Sequence, residues 1–284
     1  MNAPTYDELA THFPRLHHYA HLGSIVSWDR AANMPPKGNE ARAAAMAELA
    51  ALMHRLRTES TLGERISRAE QEPLSDHQRA NLREIRREWL QATALPESLV
   101  TRQELATSRC EHAWRTQRPA NDWKGFLDNW KPVVAIAREE AQLLSQQTGL
   151  SKYDAMMDRF EPGMRSDQVS RVFGAVRQWL PDLIDRVVER QGQNQPIESR
   201  GPFSLAAQQA LCKRVVTMLG FDFSAGRLDT STHPFSGGVP EDVRMTTRYG
   251  ADDFLQSLMG TVHETGHGRY EQNLPRDWLG QPVS

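Results

Sequence analysis

Apolar residues recur at helical spacing through most of the first 220 residues of this chain. Leu82, Ile85 and Trp89 follow one another at i, i+3 and i+7, behind the candidate N-cap Ser75. This spacing places the three side chains on one face of a helix, and a serine at the N-cap accepts a backbone N–H of the first turn. Because similar patterns repeat along the chain, we predict a mainly α fold.

Two longer helical patterns contain a proline each. The first runs over residues 121–149 with Pro132 near its start, and the second runs over 166–187 with Pro181 inside it. We expect Pro132 to kink its helix or delay its start, and Pro181 to kink the second helix, because proline removes a backbone donor and clashes with the preceding turn. Ser166 is the predicted cap of the second helix.

The pattern changes near the end of the chain. Over 221–250 the helical period is lost, and a stretch of alternating apolar and polar side chains from Val243 to Tyr249 predicts one or two short strands. Helical spacing returns over 251–274. We therefore predict a single helical domain over 1–284, with a small β-containing insert at 221–250 directly before its last helix.

Composition and charge exclude two classes of partner. A formal net charge of −2 and mixed charges along the helices give no basic patch for nucleic acid, and no segment is apolar enough to cross a membrane. The first residues show no basic stretch followed by an apolar run, so we expect a cytoplasmic protein. Cys110 and Cys212 lie far apart in helical patterns, which favours buried thiols over a disulfide.

The last helical pattern contains the residues that carry chemistry. His263 and His267 are four positions apart, so both imidazoles project from one helix face and can reach a single Zn²⁺. Glu264 follows the first histidine and is placed to act as a general base beside the metal. This His-Glu-x-x-His spacing predicts a zinc hydrolase that cleaves amide bonds, with Co²⁺ as a possible substitute for zinc.

A catalytic zinc takes three protein ligands, and no good third candidate follows His267. Position 273, where one class of zinc peptidase has its third histidine, is Asn273. Glu271 is two turns from His263 along the same helix, and Asp277 follows a proline in a predicted turn. We therefore expect the chain to be truncated at its C-terminus, with exposed apolar surface that a further segment would cover.

Several segments in the same order resemble the carboxypeptidase Taq family of metallocarboxypeptidases. The zinc motif at 263–267 with the following 270–275, His233-Pro234-Phe235, and the Asp-x-Arg-x-Thr segment at 242–246 match family motifs. Ser27-Trp28-Asp29 with Met34-Pro35-Pro36, and Tyr153-Asp154 with Glu161-Pro162-Gly163, are similar to its amino-terminal regions.

The resemblance implies a helical, groove-type, zincin-like metallopeptidase body with a small β element beside the zinc helix. It also implies removal of C-terminal residues from peptides, and a homodimer when the protein is full length. By resemblance, His263 and His267 are the metal ligands and Glu264 is the general base. The family's glutamate ligand would lie beyond residue 284, so the 284-residue chain alone is expected to be inactive.

Two further candidates for substrate binding follow from the family motifs. His233 fits either a substrate contact or a packed turn before Pro234. Arg244 fits either a guanidinium that binds a peptide carboxylate or a salt-bridged strand residue. The tryptophans, among them Trp28 and Trp123, are interpreted as core anchors.

Three functions stay open. A metallocarboxypeptidase would release single C-terminal amino acids and fail on substrates with a blocked C-terminus. A zinc oligopeptidase with the same helix would cut inside short peptides. A non-catalytic helical protein that binds peptides or partners would show no hydrolysis sensitive to chelators.

Overall fold

The computed structural model describes residues 3–194 and 199–284 of the chain. Contacts among them define two compact units, one formed by Met1–Ile136 with Gly201–Ser284 and the other by Ala137–Arg200. The fold is mainly helical with one small sheet, which confirms the predicted class.

The first unit begins with a run of helices. They are α1 (Pro4–Ala10), α2 (Phe13–Ala32), α3 (Asn39–Arg57), α4 (Leu62–Ala69), α5 (Asp76–Thr93), α6 (Glu97–Gln117) and α7 (Trp123–Thr148), the last of which continues into the second unit. Leu9, Leu62 and Ile85 lie at the centre of the core that α1, α2, α4 and α5 share. Burial of these aliphatic side chains is the main term that holds the helices together.

Helix α5 forms as its sequence predicts. The Ser75 Oγ accepts the N–H of Gln78, and the Gln78 side chain accepts the N–H of Ser75, so both halves of a capping box are present. Trp89 packs at the edge of the core against α4, where Gly63 leaves room for it: a Cβ at Gly63 would lie 2.6 Å from the Trp89 ring.

Along the chain, the sheet follows α10 (Leu205–Met218) and precedes α11 (Phe254–Gln272). It has three strands, β1 (Gly226–Thr230), β2 (Ser236–Val239) and β3 (Asp242–Thr247), in the order β1-β3-β2. β3 runs parallel to β1 and antiparallel to β2. The prediction of one or two strands was wrong, because the sheet has a third strand. The strand that the sequence pattern did not indicate is β2, whose Ser-Gly-Gly-Val sequence has neither alternation nor strand propensity.

The second unit holds the end of α7 together with α8 (Lys152–Met157) and α9 (Ser166–Gly192). Both α7 and α9 continue as helix through their prolines. Ser166 is not the cap of α9 but its first helical residue, and Arg165 is the N-cap. The Asp154 Oδ1 of α8 accepts the N–H of Ser166 at 2.8 Å and so fills the role that the sequence assigned to a serine side chain.

The prediction about the cysteines is confirmed, whereas the prediction about the tryptophans is wrong for one of them. Cys110 and Cys212 are free, buried thiols, as predicted. Trp28 is a core anchor with 7% of its surface exposed, but Trp123 is 65% exposed and was wrongly assigned to the core. Trp123 is the first residue of α7. No helix within the described part of the chain is long and apolar enough to cross a membrane.

Candidate metal centre

Helix α11 carries the histidine motif and is fixed at both ends. The Asp253 Oδ1 accepts the N–H groups of Leu255 and Gln256, which caps the helix. One turn further, the Ser257 Oγ donates to the Oε1 of buried Gln208 on α10 at 2.8 Å. These bonds fix the start of the helix against α10.

The other end of α11 lies against the sheet because of a glycine. A Cβ at Gly268 would come within 2.8 Å of the Met245 Sδ and 2.9 Å of the Phe221 ring. These two buried residues form a second, smaller core with Val216 and Val243. Only glycine allows this close approach of helix and sheet. Gly266, in contrast, faces open space, where a Cβ would meet no atom within 4 Å. No packing contact therefore explains Gly266.

The two histidines of the motif converge. The Nε2 atoms of His263 and His267 are 3.2 Å apart, and their rings meet edge to face. Two imidazoles bound to one tetrahedral zinc at about 2.0–2.1 Å would place these nitrogens roughly 3.3–3.4 Å apart. Both side chains are exposed, so an ion can reach them. The pair thus fits two positions of a zinc site.

Glu264 differs from the histidines in its surroundings. It is buried, with 7% of its surface exposed, and it lies next in sequence to His263 on the inner side of α11. Its neighbour Thr265 is also buried, and the Thr265 Oγ1 donates to the carbonyl of Thr261 at 2.7 Å. Glu264 therefore sits on a part of the helix that packing holds in place, one residue after His263.

The structure describes no third ligand at this pair. Within residues 3–194 and 199–284, no group of three His, Cys, Asp or Glu side chains is arranged to hold one ion. Glu271 instead lines a separate cavity of about 190 Å³ together with His17 and His21, and burial raises the pKa of the Glu271 carboxyl.

The loop that contains His233 is attached to strand β3 by Thr246. The Thr246 Oγ1 accepts the N–H of Phe235 at 3.1 Å and bonds the Ser231 hydroxyl at 2.7 Å, while Ser231 also donates to the carbonyl of His233. The adjoining Pro234 reaches α11: its Cγ would lie 3.7 Å from a Cβ at Gly260, one turn before His263. The structure thereby brings the loop with His233 to helix α11.

Arg244 is engaged elsewhere on β3. Its guanidinium donates to both oxygens of Asp242, at 2.5 and 2.8 Å, and lies 4.5 Å from the centre of the Trp28 ring. This pairing holds the pKa of the Asp242 carboxyl below its ordinary value. Arg227 of β1 also lies over Trp28, at 5.0 Å. Cation–π contacts of Trp28 with these two arginines therefore join α2 to the sheet.

Three residues of this site have roles that the sequence did not assign. Thr246 and Ser231 position the His233 loop, and Gly268 sets the distance between α11 and the sheet. A threonine and a serine 15 positions apart carry no spacing signal, since strand pairing brings them together. The glycine in the last turns of a predicted helix was a usable signal for close packing.

Known proteins resemble this chain over nearly its whole length. The family model of carboxypeptidase Taq (M32) metallopeptidases matches residues 8–284. Thermostable carboxypeptidase 1 of Thermus thermophilus is 37% identical over 276 residues, which cover 93% of this chain and 54% of that protein.

Solved structures agree with these sequence matches. Trypanosoma cruzi metallocarboxypeptidase 1 superposes with a TM-score of 0.87 at 42% identity, over 99% of this chain and 57% of the other. The Pyrococcus furiosus carboxypeptidase superposes with a TM-score of 0.84 at 27% identity, again over 57% of its chain.

The chain thus spans about half the length of the relatives that it matches, and the match includes the helical body, the small sheet and the histidine helix. The coverage by the family model and the identity to the Thermus protein lead to one conclusion: the chain belongs to the carboxypeptidase Taq (M32) metallopeptidase family.

Proposed function

We propose that the protein which contains this chain is a zinc-dependent carboxypeptidase that removes C-terminal residues from peptides. The observation that carries the proposal is the 3.2 Å separation of the His263 and His267 Nε2 atoms on the helix that also contains the buried Glu264. Membership of a metallopeptidase family supports it. The homodimer and the cytoplasmic location stay predictions.

His263 and His267 would hold the ion through Nε2, and imidazole nitrogen suits zinc and cobalt alike. When bound, the ion would supply Lewis-acid chemistry at the peptide carbonyl. Glu264 takes a proton from the attacking water on its carboxylate and gives that proton to the departing amine. Its buried position on α11 keeps the carboxylate in one orientation while the proton moves.

The test uses a chimera, because the described residues supply two of the three ligands that a catalytic zinc takes. Residues 1–284 are followed by the part of the Thermus thermophilus relative that this chain does not match. The substrates are a short peptide with a free C-terminus and the same peptide with a C-terminal amide. We expect release of single amino acids from the first peptide alone, and loss of activity with a chelator.

The variant Glu264→Gln separates the proton-transfer role from metal binding. We expect kcat to fall by about 10²–10⁴-fold with an unchanged metal content. Equal cleavage of the amidated peptide would favour an oligopeptidase instead. A metal-loaded chimera that hydrolyses neither peptide would contradict the proposal and favour a non-catalytic protein.

A further inference from the structure

The segment that follows α11, residues 273–284, returns to the N-terminal helices. The Trp278 ring stacks on that of His77 in α5, with the ring centres 5.7 Å apart. A Cβ at Gly280 would lie 3.3 Å from the Cα of Pro14 in α2, and the φ of Gly280 is +79°. Glycine is suited to both the close approach and this backbone conformation. The segment therefore packs on α2 and α5.

A fully buried asparagine of α5 holds the end of this segment. The Asn81 Nδ2 donates to the Gln281 Oε1 at 2.9 Å, and the Asn81 Oδ1 accepts the N–H of Val283 at 3.2 Å. The Gln281 Nε2 in turn donates to the carbonyl of Ala10, the last residue of α1, at 3.0 Å. We call these three bonds the Asn81 clasp. A buried amide that loses its partners is costly, so the clasp fixes residues 281–283 on the helical body.

The clasped residues lie close to the histidine helix. Ser284, the residue after Val283, lines a cavity of about 190 Å³ together with Glu271. Glu271 follows His267 by four residues on α11, which is one helical turn or about 6 Å along the axis. The clasp thus holds the end of the segment near the turn of α11 that carries His267.

The position of this end matters for the number of metal ligands. The described residues supply two of the three ligands that a catalytic zinc takes. A third ligand from a part that follows residue 284 would leave from the point that the clasp fixes. Without the clasp, the free loop before such a ligand would begin earlier in the chain, and a longer loop costs more entropy to close.

We infer that Asn81 is a positioning residue for the metal centre. It holds Gln281 and Val283 so that the part of the protein that follows residue 284 reaches the two histidines of α11. Asn81 acts through the segment that it holds and makes no contact with the ion. The inference rests on the proposed carboxypeptidase function, which requires a third ligand.

The test compares zinc affinities, measured by competition with a chelating dye, in the 284-residue chain and in the chimera. Asn81→Ala removes both bonds from α5 to the segment. In the chimera, this variant should bind zinc at least about tenfold more weakly, the loss typical when the support of a metal ligand is removed. Gln281→Ala keeps the bond of Val283 and should weaken binding in the same direction by less. In the 284-residue chain, both variants should bind zinc like the parent, because the two histidines are unchanged.

Two controls separate positioning from lost stability. The Asn81 Nδ2 also donates to the Tyr6 hydroxyl at 2.9 Å, so Tyr6→Phe removes that bond and keeps the clasp. Ile85→Ala, one turn further along α5, removes a fully buried side chain that takes no part in the clasp. The chimeras with either control substitution should bind zinc like the parent chimera.

Amide hydrogen exchange in the 284-residue chain tests the clasp itself. The N–H of Val283 should be protected in the parent and exchange freely in Asn81→Ala, while the amides of α11 stay protected. An unprotected Val283 in the parent would overturn the inference. So would a chimera whose zinc affinity is unchanged in Asn81→Ala, or falls equally in Tyr6→Phe and Ile85→Ala.

The proposed function fails separately. A parent chimera that hydrolyses neither peptide, but whose zinc affinity falls in Asn81→Ala, would contradict the carboxypeptidase alone. An active chimera whose zinc affinity is the same with and without Asn81→Ala would contradict the positioning role alone.

Discussion

Helices α5 and α9 show the same kind of sequence pattern and opposite surroundings. In α5, Leu82 and Ile85 are buried against α1 and α4. In α9, no residue is buried, and a broad apolar face is open to solvent. The exposed members of that face are Val172, Phe173, Trp179, Leu180, Leu183, Ile184, Val187 and Val188.

The difference between α5 and α9 shows which structural features the apolar periodicity of a helix predicts and which it does not. Apolar spacing predicts that a helix forms and which side needs cover, but the energy comes only from the surface that packs on that side. α5 has its partner within the first unit, whereas the described residues of the second unit leave the face of α9 uncovered. Such a wide apolar face is typical of an interface rather than of a solvated helix.

Two isoleucines give the sharpest test of this contrast. Ile85→Ala removes a side chain with no exposed surface and should lower the free energy of unfolding by about 2–5 kcal/mol. Ile184→Ala makes the same chemical change at a half-exposed position and should stay within about 0.5 kcal/mol. Urea unfolding of both variants gives the two values. Similar losses would mean that α9 is packed in solution.

The exposed face of α9 should also bind an apolar dye. We expect the 284-residue chain to enhance the fluorescence of anilinonaphthalene sulfonate several-fold over a compact globular control of equal size. Replacing Phe173 and Val188 by serine should reduce this signal, while Leu82→Ser, on the buried face of α5, serves as the contrasting variant that increases it. A dye signal at the level of the control would show that the face is covered.

The starts of the two helices differ as well. Ser75→Ala breaks the capping box of α5 and should cost about 1 kcal/mol, measured by thermal or urea unfolding. α9 lacks such a box with a serine and relies on Asp154 of α8. The control is Ser67→Ala, an exposed position inside α4. An equal, negligible effect of both substitutions would argue against the cap.

The smallest expected effect concerns acid at the start of α9. The backbone N–H of Ser166, with other hydrogen bonds, lowers the pKa of the Asp154 carboxyl from its ordinary 3.8. A carboxyl with a lower pKa in the folded state stabilises the fold above the ordinary pKa, and this contribution is lost as pH falls through the lower value. The hydrogen-exchange protection factors of the amides at the start of α9 should therefore fall below about pH 4, and less so in Asp154→Asn, where the titrating group is absent. The same acid dependence in both proteins would contradict this assignment.

Sequence predicted those parts of the molecule that depend on local spacing. The capping box at Ser75, the helix around His263 and His267, and the buried thiols all follow from neighbouring residues. β2 and the outward position of Trp123 did not follow, because they depend on which surfaces meet.

The same distinction applies to the candidate site. The i, i+4 spacing places two imidazoles together, and the structure agrees with a nitrogen separation of 3.2 Å. The role of Thr246 depends instead on the pairing of distant segments. The sequence left two interpretations of Arg244 open, a group that binds a peptide carboxylate and a salt-bridged strand residue. Its bidentate contact with Asp242 fits the salt-bridged strand residue.

Whether His263 and His267 bind one metal ion is tested most directly by zinc titration calorimetry of the 284-residue chain. We expect about one zinc per chain, with an affinity that falls at least about tenfold in His263→Ala and in His267→Ala. His18→Ala, an exposed histidine of α2, should bind zinc like the parent. Zinc binding that both motif variants retain, or no binding by the parent chain, would contradict the metal centre.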